Sequence, residues 1–241
     1  MLVKLDNPVI LSRVIEVISE LVTEVRIKIN DFGLGIIAMD PANVAMVEFK
    51  VPKSAFAQFE AGEDVLGINL DNFKRVLKRC GSGSTLTLEK KDNTLLLQIQ
   101  DRIRRNFTLS LIDIDSEDKE MPNLEFSSIV ELNSVDLVDS IEDSLVVADA
   151  CSFIIQDGKF VIEAKGLDSS RSEFSGDEAK IQAENCKARY SLEYLSKFVK
   201  ASKLSEKTVL KFADDHPLRI DIKTEHMGLS FILAPRVETE D

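Results

Sequence analysis

The spacing of hydrophobic positions changes several times along the chain, and each change marks an element. Residues 1–5 form a short extended run. Asn7-Pro8 then offers an N-cap followed by proline at the first helical position. Apolar residues recur at Ile10, Leu11, Val14, Ile15, Val17, Ile18 and Leu21, a helical spacing. From Val25 the period is two, with Val25, Ile27 and Ile29 alternating with polar and charged positions. Residues 31–35 read as a turn, and 36–39, 44–51 and 65–69 as strands, with Asp40-Pro41 between the first two. A second helix is predicted over 71–80, with Gly81 placed to end it. Strands at 85–90, 94–100 and 103–111 follow, and Asp92-Asn93 turns between the first two.

Residues 112–125, IDIDSEDKEMPNLE, are acidic, contain Pro122 and read as an interdomain linker. The order then repeats. A strand at 127–132 leads to a helix capped by Asn133 or Ser134 and running to about 145. Strands near 151–156, 159–165, 170–175 and 179–183 precede a helix at 192–201, and strands near 208–212, 218–223 and 229–233 close the chain. Leu11 matches Leu137, Gly33 matches Gly158, Leu70 matches Leu192 and Phe107 matches Phe231, at offsets of 126, 125, 122 and 124. A near-constant offset of half the chain means two copies of one domain. The expected organisation is therefore 1–111, a linker at 112–126, and 127–241. Each copy is an α+β domain with two helices on one face of antiparallel sheets.

Composition narrows the class. Of 241 residues, 30 are Lys or Arg and 42 are Asp or Glu, a formal net charge of -12, which argues against a simple basic-patch nucleic-acid binder. Hydrophobic content of 44% is enough for a core. No apolar run approaches the roughly 18 residues of a membrane span, and the opening MLVKLDNPV has no signal-peptide layout. Cys80, Cys151 and Cys186 form no C-x-x-C pair and are odd in number, which fits a reducing, cytosolic compartment.

The positive charge is segregated. On a helical wheel Lys74, Arg75, Lys78 and Arg79 fall within roughly 140° of arc, opposite Leu70, Phe73, Val76, Leu77 and Cys80. The matching helix of the second half carries Lys197 and Lys200, with Lys203 just beyond, and Arg13 is the lone cation of the first helix. One basic helix face is ordinarily a solvated surface. Two at equivalent positions of a repeat, inside an acidic protein, point to a polyanion lying along one side. Zinc spacing, a helix-turn-helix signal and an aromatic stacking stripe are all lacking, so binding would be to phosphates and independent of sequence.

Competing chemistry is weaker. Asp113, Asp115 and Glu117 alternate like the start of a calcium loop, but Asp118 stands where glycine belongs and Leu124 where a bidentate Glu belongs. Gly81-Ser82-Gly83 is too short for a phosphate loop and follows a helix. His216 and His226 read as loop residues, and Asn106-Phe107-Thr108 is a formal glycosylation match that matters only on secretion. No nucleophile-base arrangement stands out, so catalytic residues, metal ligands and a cofactor are not expected. A carboxylate-rich metal-dependent enzyme is the competing class.

The segments LGINLDNFKRVLKRC (66–80), DPANVAMVEF after Met39, FTLSLIDID (107–115) and MGLSFILAPRVE (227–238) resemble the proliferating cell nuclear antigen family of DNA sliding clamps, in its archaeal form. The similarity covers the whole chain, including the duplication. It implies a ring of three subunits whose helices line a hole around duplex DNA, opened by a clamp loader. Such a ring tethers DNA polymerase, ligase and flap nuclease, and is not itself an enzyme. Arg13, Lys74, Arg75, Lys78, Lys197 and Lys200 fall on family positions that face DNA; Arg79 and Lys203 are added from the wheel.

The resemblance also implies edge-to-edge strand pairing between subunits. Segment 101–111 carries Arg102, Arg104, Arg105 and Phe107, and segment 170–178 carries Glu173, Asp177 and Glu178, a basic edge facing an acidic one. The family's pocket for peptide motifs of client enzymes falls on Met39, Val44, Met46, Met121, Pro122, Pro217, Ile232, Ala234 and Pro235. In strand 44–51 the core phase is Ala45, Val47, Phe49 and Val51, which leaves Val44 and Met46 off-phase. Ile232 is off-phase in the last strand. Off-phase apolar residues predict an exposed patch.

Two departures stand out. The helix after Asn133 carries Asp136, Asp139, Glu142 and Asp143 and no Lys or Arg, where many family members have basic residues. Glu117, Asp118 and Lys119 stand where the linker is often apolar. Either feature fits a non-equivalent subunit of a heterotrimeric or checkpoint-type clamp as the alternative. The family's location is cytoplasmic and nucleoid-associated in archaea, nuclear in eukaryotes.

Overall fold

The computed structural model describes residues 1–115 and 118–237. The chain divides into two compact units. The first holds Met1–Pro41, Val47–Met121 and Glu225–Gly228; the second holds Ala42–Met46, Pro122–Thr224 and the segment from Leu229 on.

Unit 1 runs β1 (Leu2–Leu5), α1 (Val9–Ile18), β2 (Glu24–Asn30), β3 (Gly33–Met39), β4 (Ala45–Pro52), β5 (Gln58–Glu60), β6 (Asp64–Asn69), α2 (Leu70–Leu77), β7 (Thr85–Lys91), β8 (Thr94–Gln100) and β9 (Arg104–Ser110). Unit 2 runs β10 (Ser128–Asn133), α3 (Ser134–Val147), β11 (Ala150–Gln156), β12 (Lys159–Lys165), β13 (Ser169–Phe174), β14 (Ala179–Ala183), β15 (Cys186–Ser191), α4 (Leu192–Ser202), β16 (Lys207–Phe212), β17 (Leu218–Lys223) and β18 (Gly228–Leu233). The two orders are identical, and so are the sheets. In unit 1 the neighbours run β5-β1-β7-β8-β9 and β4-β3-β2-β6; in unit 2 they run β14-β10-β16-β17-β18 and β13-β12-β11-β15. Strand for strand, β9 answers β18 and β4 answers β13. Gly33 and Gly158 are both at positive φ (137° and 75°), but they are not equivalent: Gly33 opens β3 opposite Asn30, whereas Lys159 opens β12 opposite Gln156 and Gly158 lies in the turn before it, so the sequence match is one residue out of register.

Each helix buries one stripe. Leu11, Val14, Ile15 and Ile18 of α1 and Leu70, Phe73, Val76 and Leu77 of α2 are buried, and the two helices pack on each other. Leu137, Val138 and Ile141 of α3 and Leu192, Leu195, Phe198 and Val199 of α4 repeat this in unit 2, where α3 meets strands of both sheets. Unit 2 fills its core with rings: Phe198 stacks on Phe231 at 4.4 Å, and Phe153 meets Phe160 edge-on at 5.4 Å. Unit 1 uses Leu86, Leu88, Leu95, Leu97 and Ile99.

Element ends differ from expectation at three places. Pro8, not Asn7, caps α1, and its carbonyl accepts from the Ser12 N–H at 2.9 Å. Helix α2 starts earlier, because the Asn69 side chain accepts from the Asn72 N–H at 3.1 Å, and it ends at Leu77. Gly81 is absent from the glycines at positive φ, so it does not end α2 as a left-handed cap. Strands β5 and β15 lie outside the expected elements. In β15 the small Cys186 and Ala188 carry the inward phase, and this blunts the hydrophobic alternation.

Candidate nucleic-acid interface, strand edges and partner surface

The helix pair of unit 1 is basic. From Val9 to Leu21 and Leu70 to Cys80 there are five cations, Arg13, Lys74, Arg75, Lys78 and Arg79, against three carboxylates, Glu16, Glu20 and Asp71. Arg13, Arg75, Lys78 and Arg79 are exposed and Lys74 is half-buried. Two of the lysines tie the helices together. Lys78 pairs with Glu16 of α1 at 2.5 Å, and Lys74 pairs with Asp71 at 3.0 Å and donates to the Ser19 hydroxyl at 3.0 Å. Arg13, Arg75 and Arg79 make no ion pair among the described residues, so their charge projects outward. Glu16, the partner of Lys78, lies on another element, and no spacing within α2 signals it.

The helix pair of unit 2 has the opposite balance. Helices α3 and α4, with the C-cap Lys203, carry Lys197, Lys200 and Lys203 against Asp136, Asp139, Glu142, Asp143 and Glu193. Lys200 and Lys203 are exposed. Lys197 is held down by Glu193 at 3.0 Å and lies over the Tyr194 ring at 5.2 Å. Asp139, Glu142 and Asp143 are exposed on α3.

Strand edges form the second feature. β9 ends its sheet in unit 1 and β13 ends its sheet in unit 2. β5 and β14 also end their sheets, while the edges at β6 and β15 are covered. The Ile112 N–H donates to Gly67 O of β6 at 3.0 Å, and a Cβ at Gly67 would meet Ile112 O at 2.0 Å, so only glycine admits the linker there. In the repeat, the Arg236 N–H donates to Arg189 O of β15 at 2.7 Å. Within unit 2, just after β18, the Ala234 N–H donates to Val44 O at 2.9 Å. On β9, Arg105, Phe107 and Leu109 share one face and remain half-exposed.

Not every charge expected on these edges is free. Arg105 is engaged by Asp101. Glu173 is held by Lys159 at 2.5 Å and Arg171 at 3.4 Å, which draws its carboxyl below the usual range. Glu178 accepts from the Ser175 hydroxyl and N–H at 2.6 and 2.8 Å, and is likewise lowered. Arg102, Arg104 and Asp177 keep exposed side chains with no ion pair among the described residues.

The expected apolar patch is only partly exposed. In unit 1 Met39 and Met121 are half-buried. In unit 2 Val44, Pro217, Ala234 and Pro235 are half-buried and Pro122 is exposed. Met46 and Ile232, expected to be exposed, are buried at 8% and 6%. A polar network occupies the face of β18 that carries Ile232. Asp221 of β17, 4% exposed, is held by Lys211 at 2.8 Å, Arg219 at 2.8 Å and the Ser230 hydroxyl at 2.6 Å, and Ser230 shares its face of β18 with Ile232. Burial pushes the Asp221 carboxyl up, and the hydrogen bonds from Lys211, Ser230 and Arg219 outweigh it, leaving it below the usual range. No sequence signal distinguishes this aspartate from a solvated off-phase residue.

In unit 1 the acidic linker has a binding partner. Asp118 is gripped by Lys28 at 2.7 Å and Arg26 at 2.8 Å, both on β2, and the Lys28 hydrogen bond does most to lower its carboxyl. Glu117 and residues 238–241 lie outside the described residues. Among the described residues no group of three or more His, Cys, Asp and Glu is placed to hold a metal ion. The three cysteines are free thiols, and burial pushes Cys151 up to about 12.

Two copies of one nine-strand, two-helix unit, with a basic helix pair and open strand edges, define a tandem-domain clamp protein. The N-terminal domain model of proliferating cell nuclear antigen matches residues 1–120 and the C-terminal domain model residues 120–237, so the chain belongs to the proliferating cell nuclear antigen family. DNA polymerase sliding clamp 1 of Thermococcus kodakarensis is 34% identical over 229 residues, 91% of this chain and 92% of that protein. The DNA polymerase sliding clamp of Pyrococcus furiosus is 31% identical over 236 residues, 94% of each. The fold matches the crystal structure of the antigen from Entamoeba histolytica with a TM-score of 0.91 over 98% of both chains, at 24% identity. Members of the family are processivity factors, not enzymes.

Proposed function

We propose that this chain is a DNA polymerase sliding clamp that closes into a ring of three around duplex DNA. The observation that carries this reading is the equivalence of edges. β9 and β13 hold the same place in the two units as β18 and β4, and each ends a sheet. If β9 of one copy pairs with β13 of the next, the same contact repeats head to tail and closes. Arg102 before β9, Arg104 at its start and Asp177 after β13 supply complementary charge.

The four helices then face the enclosed duplex. Arg13, Lys74, Arg75, Lys78, Arg79, Lys197, Lys200 and Lys203 meet its phosphates without reading bases. Met39, Val44, Met46, Met121, Pro122, Pro217, Ile232, Ala234 and Pro235 form the docking surface for short peptide motifs of polymerase, ligase, flap nuclease and clamp loader. A motif side chain reaches Met46 and Ile232 only by displacing what covers them. In an archaeal cell the clamp would work in the cytoplasm on nucleoid DNA, and in a eukaryotic one in the nucleus.

The excess of carboxylates on α3 and α4 favours a second reading, in which this chain is one non-equivalent subunit of a heterotrimer. Native mass of the pure chain at dilute concentration separates the two. Three subunits support the homotrimer, a monomer supports the heterotrimer, and a closed dimer contradicts both.

A further inference from the structure

The solvent face of the four-stranded sheet in unit 2 carries a shallow trough of about 190 Å³, lined by Ala150, Ser152, Glu163, Lys165, Lys187 and Arg189. Strand pairing explains its shape. Ser152 of β11 lies opposite Glu163 of β12 on one side and Arg189 of β15 on the other. The small Ala150 and Ser152 make the floor, and the long side chains of the two flanking strands make the walls. Cys151, Phe153, Ala164, Ala188 and Tyr190 alternate with the lining residues and are buried on the other face. The trough therefore lies on the side of the sheet away from the helices.

Its charge is out of keeping with a chain of net charge -12. Lys165, Lys187 and Arg189 line it, and Arg171 adjoins it through Glu163. Among the described residues the carboxylates nearby are already taken. Glu163 gives one oxygen to Arg171 at 3.0 Å and the other to Lys165 at 2.7 Å, which lowers its carboxyl. Asp149 is paired with Arg236 at 2.9 Å, and Asp214 accepts from the backbone N–H of Lys187 at 2.8 Å. The Lys187 ammonium is exposed and makes no ion pair among the described residues. The backbone around the walls is fixed as well, since Arg189 O accepts from Arg236 and Lys187 O from the Asp215 N–H at 3.0 Å.

We propose that this trough binds the phosphoryl group of a phosphate monoester, either free or carried on a phosphorylated side chain of a partner. Three cations converging from two walls over a serine hydroxyl suit a compact dianion with several acceptor oxygens. A single carboxylate would engage only one guanidinium fork. A DNA backbone phosphate carries one charge and, on the reading above, meets the helices on the opposite face of the sheet.

The test is a titration of the full chain with inorganic phosphate, at ionic strength held constant with chloride, followed by backbone amide resonances. Saturable shifts at 150–152, 163–165 and 187–189 are expected, with weakening of about tenfold for each cation removed in Lys187→Gln and Arg189→Gln. A phosphoserine peptide that shifts the same resonances, where its unphosphorylated form does not, identifies the side-chain source. Phosphate saturating without the peptide identifies the free one. Shifts that chloride reproduces, or a double variant that binds phosphate as the parent does, would overturn the proposal. So would a short DNA strand that occupies the trough as tightly as phosphate.

Discussion

Asp221 is the residue whose environment departs most from what its position in the sequence implies. It sits between Ile220 and Ile222 in a strand and looks solvated, yet it is buried and neutralises Lys211 and Arg219. Its replacement by asparagine leaves two cations, each about three-quarters covered, without a carboxylate. We expect Asp221→Asn to lose about 2–3 kcal/mol, at the low end for a broken buried pair because both cations touch water. Denaturant unfolding at neutral pH measures it. The pH dependence has a defined sign. The folded carboxyl lies below its unfolded value of about 3.9, so its stabilisation is complete above that value and disappears as pH falls through the folded pKa. The gap between parent and Asp221→Asn should therefore close in acid. Asp118 is lowered in the same direction by Lys28 and Arg26, but it is exposed, so its effect is positional. In Asp118→Asn, amide exchange should quicken at residues 118–121 while global stability stays unchanged.

At the scale of elements, helix α2 combines a core stripe and a charged one. Phe73 is fully buried, and Phe73→Ala should cost about 3–5 kcal/mol in unfolding experiments. On the other side, Arg75 and Arg79 are exposed and make no ion pair among the described residues. Arg75→Gln with Arg79→Gln should reduce the salt dependence of binding to a short duplex, by about 0.9 in the log-log slope for each phosphate no longer neutralised. Asp139→Asn with Asp143→Asn on α3 should shift affinity the other way. Anisotropy titrations across salt read both.

Most of this level was legible in the sequence. The periodicity of α2 marks its buried face, because Leu70, Phe73, Val76 and Leu77 repeat at helical spacing in a single segment. The duplication is visible in Leu70 and Leu192, because each opens the second helix of its unit and is fully buried there. What stayed hidden depends on contacts between distant segments. Glu16 meets Lys78 across two helices, Asp118 meets Arg26 and Lys28 from far along the chain, and Met46 and Ile232 are covered by neighbours that their own strands do not reveal. The acidic edge was legible as charge but not as free charge, because Lys159 and Arg171 reach Glu173 from neighbouring positions of the sheet.

For the whole molecule, the net charge of -12 conceals separate territories. Cations exceed carboxylates on α1 and α2, and carboxylates exceed cations on α3 and α4. A ring held on DNA by topology needs only weak phosphate contacts, and an acidic total limits tight nonspecific binding. Assembly should depend on the open edges. Arg102→Glu with Arg104→Glu should shift gel-filtration elution toward the monomer at dilute concentration, and an unchanged profile would count against β9 as the joining edge. The central claim is that the chain encloses DNA, and retention on circular against linear duplex measures it most directly. Loaded clamp should remain on closed circular DNA through a salt wash and leave linear DNA of the same sequence. Equal retention on the two would contradict a topological link.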